Sequence, residues 1–292
     1  MMQRLKAFSK KQKIIAVALV LIIALAIGGW AIYKERSDNF CQYAKPFSFA
    51  DIQGSEKVTL VAHRGAATDA PENTLPAFEK AAQKGYKYAE ADVRATADGI
   101  WVLSHDASLK RMTGFRGNVE SMTLAEVQAH PIKRGANIKD YSNLKTPTLE
   151  QLLALCKKQK LHPVIEIKTK VQDYPEAPFR AIADLLAQFG LSKSAVIISF
   201  DYGALENIRN YNKQIRMQYL VKELEAEVFT KADKLGNCGI DCAYQSLLKN
   251  PDLVEVAHSA KLPLNAWTAD KPEIVEQLCA AGVDFITTNA AY

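Results

Sequence analysis

The chain has 292 residues, of which 48% are hydrophobic and 24% charged, with only five cysteines. This composition excludes a disordered chain, a collagen-like repeat and a small disulfide-stabilised scaffold. The formal net charge is +5, but residues 1–40 hold seven Lys and Arg against two Asp and Glu, so the rest of the chain carries 30 of each sign. A body without a basic excess argues against a nucleic-acid partner.

An uncharged stretch of 20 residues, 14–33, is long enough to cross the roughly 30 Å hydrocarbon core of a bilayer as a helix. Five Lys and Arg precede it, and Trp30 and Tyr33 suit the far interface. Residues 1–40 are therefore predicted to be a basic cytoplasmic tail and a single-pass anchor in the inner (cell) membrane. Residues 41–292 would then lie on the periplasmic or extracellular side.

A cleaved signal peptide and a buried helix of a soluble protein are the alternatives for this stretch. Residues 30–36 lack the small-residue motif at which a signal peptide is cut. In an exported domain, Cys238 and Cys242 would form the most plausible local disulfide. Cys156 and Cys279 lie in apolar helical patterns typical of buried free thiols, and no second Cys or His cluster completes a zinc site.

From residue 58 onward, short runs rich in β-branched residues alternate with longer helical patterns. The predicted strands are 58–62, 88–94, 163–167, 195–199, 216–220, 240–244, 264–267 and 285–287. The predicted helices are 75–84, 149–158, 176–189, 202–210, 224–234, 253–259 and 272–281. Alternating strands and helices favour right-handed crossovers, and eight parallel strands predict a closed (β/α)8 barrel of the TIM type.

One stretch of the body does not fit the alternation. Residues 107–146 are too long for an ordinary connection and are predicted to form a small inserted subdomain after the second strand. The barrel would thus occupy residues 41–292, with this insertion over one end.

Catalytic sites of such barrels form at the carboxyl ends of the strands. The polar residues at three of these ends are His63, Arg64, Glu90, Asp92, Glu166 and Lys168. Because residues two apart on a strand face the same way, Glu90 should lie beside Asp92, and Glu166 beside Lys168. Three carboxylates and a lysine are therefore expected to converge on one mouth of the barrel.

Crowded carboxylates favour a bound cation, and ligation by oxygen alone suits one divalent ion, Ca²⁺ or Mg²⁺. The predicted metal ligands are Glu90, Asp92 and Glu166. The alternative is that the acids only form ion pairs with Arg64, Arg94 and Lys168. A divalent cation beside Arg64 and Lys168 would make a receptor for a phosphate group, with these two side chains binding the substrate.

Two histidines accompany this cluster. His63 follows the first strand directly, and a predicted turn at Asp98 and Gly99 folds the chain back and carries His105 towards the same rim. Since histidine titrates near neutral pH, one imidazole can take a proton from a nucleophile while the other gives a proton to a leaving oxygen. Phe200 and Trp267, at later strand ends, are predicted to form an apolar wall that binds the substrate.

The order and spacing of these residues resemble the glycerophosphodiester phosphodiesterase family over residues 57–288. The matching motifs are His63-Arg64-Gly65, Pro71-Glu72-Asn73-Thr74, Glu90-x-Asp92, Asp98-Gly99, Val102-x-x-His105-Asp106, Pro147-Thr148-Leu149, Glu166-x-Lys168, Ser199-Phe200 and Trp267-Thr268. The resemblance implies a barrel with an insertion after the second strand, a divalent cation, and hydrolysis of a glycerophosphodiester to glycerol 3-phosphate and an alcohol.

The resemblance also implies roles for individual residues. His63 and His105 match the family's acid/base pair, the three acids match its metal ligands, and Arg64 and Lys168 match its phosphate contacts. In the mechanism usually proposed for the family, the substrate's own 2-hydroxyl attacks phosphorus and leaves a cyclic phosphate. This sequence does not choose between that route and direct attack by water.

The chain departs from the family pattern in two loops and at its end. Ala269 and Asp270 stand where the family often has Val-Asn, and residues 287–291, Thr-Thr-Asn-Ala-Ala, replace the commoner Thr-Asp-x-Pro. No final barrel helix is expected after the last strand, so residues 41–56 are expected either to cover the bottom of the barrel or to leave that gap open.

Two other functions remain as alternatives. One is a lysophospholipase D-type phosphodiesterase that takes a lysolipid from the membrane. The other is a membrane-tethered module that binds a ligand without catalysis; the presence of both histidines and all three acids argues against it.

Overall fold

The computed structural model describes residues 41–175 and 177–292 of the chain. The predicted anchor at residues 14–33 lies outside this part. Among the described residues, no helix combines the length and the apolar character needed to cross a membrane.

The described residues form a nine-stranded sheet that closes on itself. Its strands are β1 (Thr59–Ala62), β2 (Tyr88–Ala95), β3 (Trp101–Leu103), β4 (His162–Ile167), β5 (Val196–Ser199), β6 (Arg216–Val221), β7 (Cys238–Ala243), β8 (Leu264–Trp267) and β9 (Phe285–Thr288). All except β3 pair in parallel, in chain order, and β1 pairs with both β2 and β9. The predicted eight-stranded parallel barrel is therefore confirmed.

The extra strand, β3, lies antiparallel on β2, with Leu103 opposite Val93. The chain reverses at the predicted turn, where Gly99 has a φ of 80°. This hairpin returns the chain towards the carboxyl end of β2 and places Ser104, Asp106 and the residues after them over that end.

Ten α-helices lie in the described residues. They are α1 (Leu75–Gln83), α2 (Lys110–Thr113), α3 (Leu124–Gln128), α4 (Leu149–Gln159), α5 (Phe179–Gln188), α6 (Tyr202–Tyr211), α7 (Ala226–Leu235), α8 (Tyr244–Lys249), α9 (Leu253–Ser259) and α10 (Pro272–Ala281). The predicted strand end at Tyr244 is wrong. Ala243 is the last residue of β7 with a partner on β8, so Tyr244 is free to begin α8.

Side-chain alternation separates the inside of the barrel from its outer core. Along β4, Val164 belongs to a small inner cluster with Val61 and Val196, whereas Ile165 packs in the large cluster that includes the surrounding helices. Glu166, two residues beyond Val164, therefore faces inward as well. The barrel interior is apolar towards its base and acidic towards the carboxyl rim.

Residues 41–57 reach beyond the base of the barrel, so neither expectation for the gap at the base describes them fully. They begin at the carboxyl rim, where Cys41 Sγ lies 3.6 Å from His63 Nδ1, and end at the start of β1. Phe47 pairs in parallel with Ala291, and Phe47 also packs against the outer core. The Cβ of an alanine at Gly54 would lie 3.6 Å from Cys279 Cβ in α10. The segment thus runs along the side of the barrel from rim to base.

The predicted disulfide between Cys238 and Cys242 is wrong. Both residues lie on β7, four positions apart, which separates their Cα atoms by roughly 13 Å, whereas a disulfide bridges about 7 Å at most. Both side chains pack in the outer core, and all five cysteines are free. Cys156 and Cys279 are buried free thiols, as the sequence predicts.

Gly65 provides a test of how tightly the rim packs against α1. At a φ of 77°, its added Cβ would lie 2.7 Å from the backbone carbon of Ala77, whereas Gly85, at a φ of 85°, has nothing within 4 Å. We expect Gly85→Ala to lower the free energy of unfolding by about 1–3 kcal/mol through backbone strain alone. Gly65→Ala should cost clearly more, measured by urea unfolding; equal losses would contradict the close contact.

Candidate functional site

Three carboxylates from two neighbouring strands, β2 and β4, meet at the carboxyl rim. The register of the sheet places Asp92 on β2 opposite Glu166 on β4, and Glu90 lies two residues before Asp92 on the same face. One carboxylate oxygen from each residue lies within 4.8 Å of the others, and all three side chains are buried. The structure therefore brings together the predicted acidic cluster.

Two cations contact this cluster, and both were expected there. Lys168 Nζ lies 2.8 Å from Glu166 Oε1 and 3.3 Å from Asp92 Oδ1. Arg64 Nε lies 3.2 Å from Asp92 Oδ2, and the Arg64 backbone N–H donates to Glu90 Oε2 at 2.9 Å. Arg64 adopts a left-handed backbone with a φ of 57°, in the turn that leads into Gly65.

Of the three ion-pair partners that the alternative named, Arg64 and Lys168 contact the acids but Arg94 does not. The Arg94 guanidinium turns away from the acids: its Nη1 lies 2.9 Å from Glu120 Oε1, and its Nε and Nη2 donate to the His105 backbone oxygen. Arg94 therefore supports the loop that carries His105 instead of neutralising the cluster.

The three acids are held in different states by their surroundings. Burial, with the charges of Asp92 and Glu166, raises the pKa of Glu90 well above its usual range. Burial also raises the pKa of Glu166 to about 7, although Lys168 opposes this. Asp92 is equally buried, yet Lys168 and Arg64 hold its pKa well below the ordinary value. Crowding therefore resists the ionisation of all three carboxylates together.

The cluster fits a divalent cation. Glu90 Oε1 is buried and accepts no hydrogen bond from any residue of the described ranges. A divalent ion would relieve the repulsion among the acids, and a set of oxygen ligands is what Mg²⁺ and Ca²⁺ prefer. The donor set does not distinguish these two ions.

The loop that precedes α1 supports the cluster from behind. Glu72 Oε1 accepts hydrogen bonds from Arg64 Nη1 at 2.8 Å and from Arg111 Nη2 at 2.7 Å. Asn73 donates from Nδ2 to Asp92 Oδ2 at 2.8 Å, and its Oδ1 accepts from the Asp92 backbone N–H at 3.1 Å. The sequence contained these residues in a motif but did not indicate what they contact.

His105 is oriented by the residue that follows it. Its Nδ1 lies 2.7 Å from Asp106 Oδ1, and Asp106 Oδ2 accepts from Arg111 Nε at 2.6 Å. Lys168 and Arg64 lower the pKa of Asp92 most, and the charges of His105 and His63 lower it further. His63 and His105 therefore lie within electrostatic reach of the same carboxylate.

His63 contacts a second set of residues that the sequence did not connect with it. Its Nδ1 lies 2.9 Å from Asn289 Oδ1. Asn289 in turn donates to Asp270, from its backbone N–H to Oδ1 and from Nδ2 to Oδ2, both at 2.7 Å. Desolvation and the charge of Arg64 lower the pKa of His63 to about 3. The two loops that depart from the family pattern thus meet at this histidine.

The predicted aromatic pair is also formed. The rings of Phe200 and Trp267 meet edge to face, with centroids 5.7 Å apart and an interplanar angle of 88°. Phe200 is 40% exposed, whereas Trp267 also packs against the inner apolar cluster. Contact of this pair with a substrate stays a prediction.

Asp241 on β7 is a buried acid that the sequence analysis did not select. It is 1% exposed, and burial together with Glu166 raises its pKa well above the usual range. Its neighbours Ile240 and Cys242 pack in the outer core, so Asp241 faces inward. Its position between two apolar residues of a predicted strand was the signal that could have identified it.

The family profile and the related sequences indicate the same family for this chain. The sequence profile of the glycerophosphoryl diester phosphodiesterase family matches residues 63–291. A glycerophosphodiester phosphodiesterase of Caldanaerobacter subterraneus subsp. tengcongensis is 29% identical over 236 residues, which cover 80% of this chain and 94% of the relative.

Solved structures of the same family are similar to this chain as well. A glycerophosphodiester phosphodiesterase from Parabacteroides distasonis has a TM-score of 0.69 and 29% identity, covering 80% of this chain and 93% of that one. An Oleispira antarctica phosphodiesterase in complex with the product sn-glycerol-3-phosphate has a TM-score of 0.73 and 25% identity, covering 80% and 94%. This chain belongs to the glycerophosphoryl diester phosphodiesterase family and is an enzyme of that family.

The acidic cluster predicts a measurable metal affinity. We expect Glu90→Gln to weaken binding of Mg²⁺ or Ca²⁺ to the full-length protein about tenfold or more, because ligand charge sets the affinity of such sites. Isothermal titration calorimetry of the metal alone measures this. Glu227→Gln, an exposed acid paired with Lys231 on α7, is the matched control. Equal affinity in the wild type and Glu90→Gln would contradict the assignment.

Proposed function

We propose that this enzyme hydrolyses glycerophosphodiesters to glycerol 3-phosphate and an alcohol, using one divalent cation, Mg²⁺ or Ca²⁺, and two histidines. The observation that carries the proposal is the convergence at one rim of three buried acids, two cations and two imidazoles. Membership in the family and the product found in the related Oleispira enzyme support it.

The acids and the cations divide the binding of the phosphodiester. Glu90, Asp92 and Glu166 would hold the metal, which when bound polarises a phosphoryl oxygen and offsets its negative charge. Arg64 and Lys168, which neutralise the same acids in their ion pairs, stand next to that position and would contact the remaining phosphate oxygens. The phosphate is thus held by positive charge from the protein on more than one side.

The two imidazoles have different partners, which suggests different roles. The Asp106 carboxylate contacts His105 Nδ1 and orients the ring, so His105 is suited to give a proton to the leaving alcohol oxygen. His63 has a neutral amide as its closest partner and is suited to take a proton from the attacking hydroxyl. That hydroxyl belongs to the substrate's glycerol or to water.

Phe200 and Trp267 complete the proposed site as an apolar wall for the glycerol or the alcohol group. The comparisons do not favour a lysophospholipase D or a non-enzymatic binding module. We further propose that residues 1–40 anchor the enzyme in the inner membrane, with the N-terminus in the cytoplasm and the barrel on the periplasmic or extracellular side. The charge pattern around residues 14–33 supports this orientation.

Removal of either imidazole should reduce turnover while the protein stays folded. We expect His63→Ala and His105→Ala to lower kcat for glycerophosphocholine by about 10²–10⁴-fold, the usual contribution of a general acid or base. Release of glycerol 3-phosphate by the full-length protein measures this. His258→Ala, which loses only an exposed contact with Asp284, is the matched control. Turnover at the wild-type level in either variant would overturn its assigned role.

The proposed anchor predicts a distinct fractionation. The full-length protein should stay in the membrane pellet after alkaline carbonate washing, because about 20 apolar residues are buried in the bilayer. An alkaline phosphatase reporter fused after residue 292 should be active outside the cytoplasm. Recovery in the carbonate supernatant, or an inactive reporter, would contradict the anchor or its orientation.

A further inference from the structure

The contact between His63 and Asn289 depends on a third residue that does not touch the histidine. Asp270 follows β8 and accepts both N–H groups of Asn289, the backbone one on Oδ1 and the side-chain one on Oδ2. Each oxygen of the carboxylate is thus used by a different donor of the same residue. Asn289 is 9% exposed, so its side of these contacts is largely shielded from solvent.

This arrangement determines which end of the Asn289 amide faces the histidine. If the amide were rotated by half a turn, its oxygen would oppose Asp270 Oδ2, and two acceptors would meet at 2.7 Å. The carboxylate therefore keeps the amide nitrogen on its own side and directs Oδ1 to His63 Nδ1, at 2.9 Å. An amide oxygen only accepts, so Nδ1 must carry the hydrogen.

We infer that Asp270 is a positioning residue which, through Asn289, keeps the proton of neutral His63 on Nδ1 and leaves the Nε2 lone pair for the substrate. The inference deepens the proposed function, because only an unprotonated Nε2 can take a proton from an attacking hydroxyl. In hydrolases that use a neutral histidine as base, loss of the correct tautomer lowers the rate even where the geometry is kept.

Other groups around His63 act on its charge but do not select the tautomer. Cys41 Sγ lies 3.6 Å from Nδ1, which is a weak contact beside the 2.9 Å amide bond. The charged residues that influence the ring most are Arg64, Asp92 and Glu72. The Asn289 oxygen lies closer to Nδ1 than the Cys41 sulfur does, so the amide decides the position of the proton.

Asp270→Asn should reverse the amide and with it the tautomer. An asparagine at position 270 offers one acceptor and one donor. If its oxygen accepts the Asn289 backbone N–H, its NH₂ opposes the Asn289 NH₂, and a half-turn of the Asn289 amide relieves the conflict. The Asn289 nitrogen then faces His63, so Nδ1 must accept and Nε2 must carry the hydrogen.

Nitrogen NMR of ¹⁵N-histidine-labelled full-length protein tests the tautomer without substrate. The His63 signals are identified by their loss in His63→Asn. The wild type should show the Nδ1–H form, and Asp270→Asn should shift the population to Nε2–H. Asp284→Asn is the matched control, because Asp284 lies directly before β9, where its Oδ2 contacts the exposed His258 at 3.0 Å and accepts from the Leu264 backbone N–H at 2.8 Å. A wild-type Nε2–H form, or an unchanged tautomer in Asp270→Asn, would overturn the inference.

The reciprocal exchange separates positioning from simple loss of structure. In Asp270→Asn/Asn289→Asp, the new carboxylate at 289 accepts from His63 Nδ1 and from the amide at 270, so the Nδ1–H form should return. We expect kcat to fall about tenfold or more in Asp270→Asn, with little change in KM, and to recover in the double variant. In the double variant the pH profile should also shift, because a carboxylate beside Nδ1 favours the imidazolium.

The NMR and the kinetic measurements can contradict the inference and the proposed function separately. If the tautomer follows the substitutions but no variant or wild type hydrolyses a glycerophosphodiester, the proposed function fails and the positioning by Asp270 stands. If the wild type is active but the double variant recovers neither tautomer nor turnover, the inference is overturned and the proposed function stands.

Discussion

Repulsion among three buried carboxylates is the constraint around which the carboxyl rim is built. The register of β2 and β4 places Asp92 opposite Glu166, and Glu90 lies on the same face two residues earlier, so the three carboxylates are close together. Arg64 and Lys168 offset part of the charge, and the Arg64 backbone N–H and Asn73 satisfy further oxygens. Glu90 Oε1, which has no hydrogen-bond partner in the described part of the chain, carries the charge that these residues do not balance.

The supporting residues join elements that are distant in the chain. Glu72, before α1, holds both Arg64 at the end of β1 and Arg111 in α2. Arg111 also holds Asp106, which orients His105. The residues after β3 are therefore tied to the same charged network as the barrel strands. Movement of this region relative to the barrel would change the surroundings of His105 and Arg64 together.

Features that follow from the alternation of residues along a strand and from the order of motifs could be predicted from the sequence. Contacts between side chains of distant loops could not. Alternation along β2 and β4 was enough to place Glu90, Asp92 and Glu166 together, and the Asp98 and Gly99 turn was enough to return His105 to the rim. The Asp270 and Asn289 contact joins two loops, so no spacing within either could indicate it. The disulfide prediction failed because neighbours in sequence on an extended strand are far apart in space.

The path of residues 41–57 bears on how the protein can be shortened. These residues reach from the histidine at the rim to the start of the first strand, and Phe47, Phe49 and Ile52 pack on the outer core. Shortened versions that begin at the first strand would expose apolar residues of the outer core and would lack Cys41, which contacts the His63 imidazole. A version intended for crystallisation or enzymology should therefore retain every residue from 41 onward.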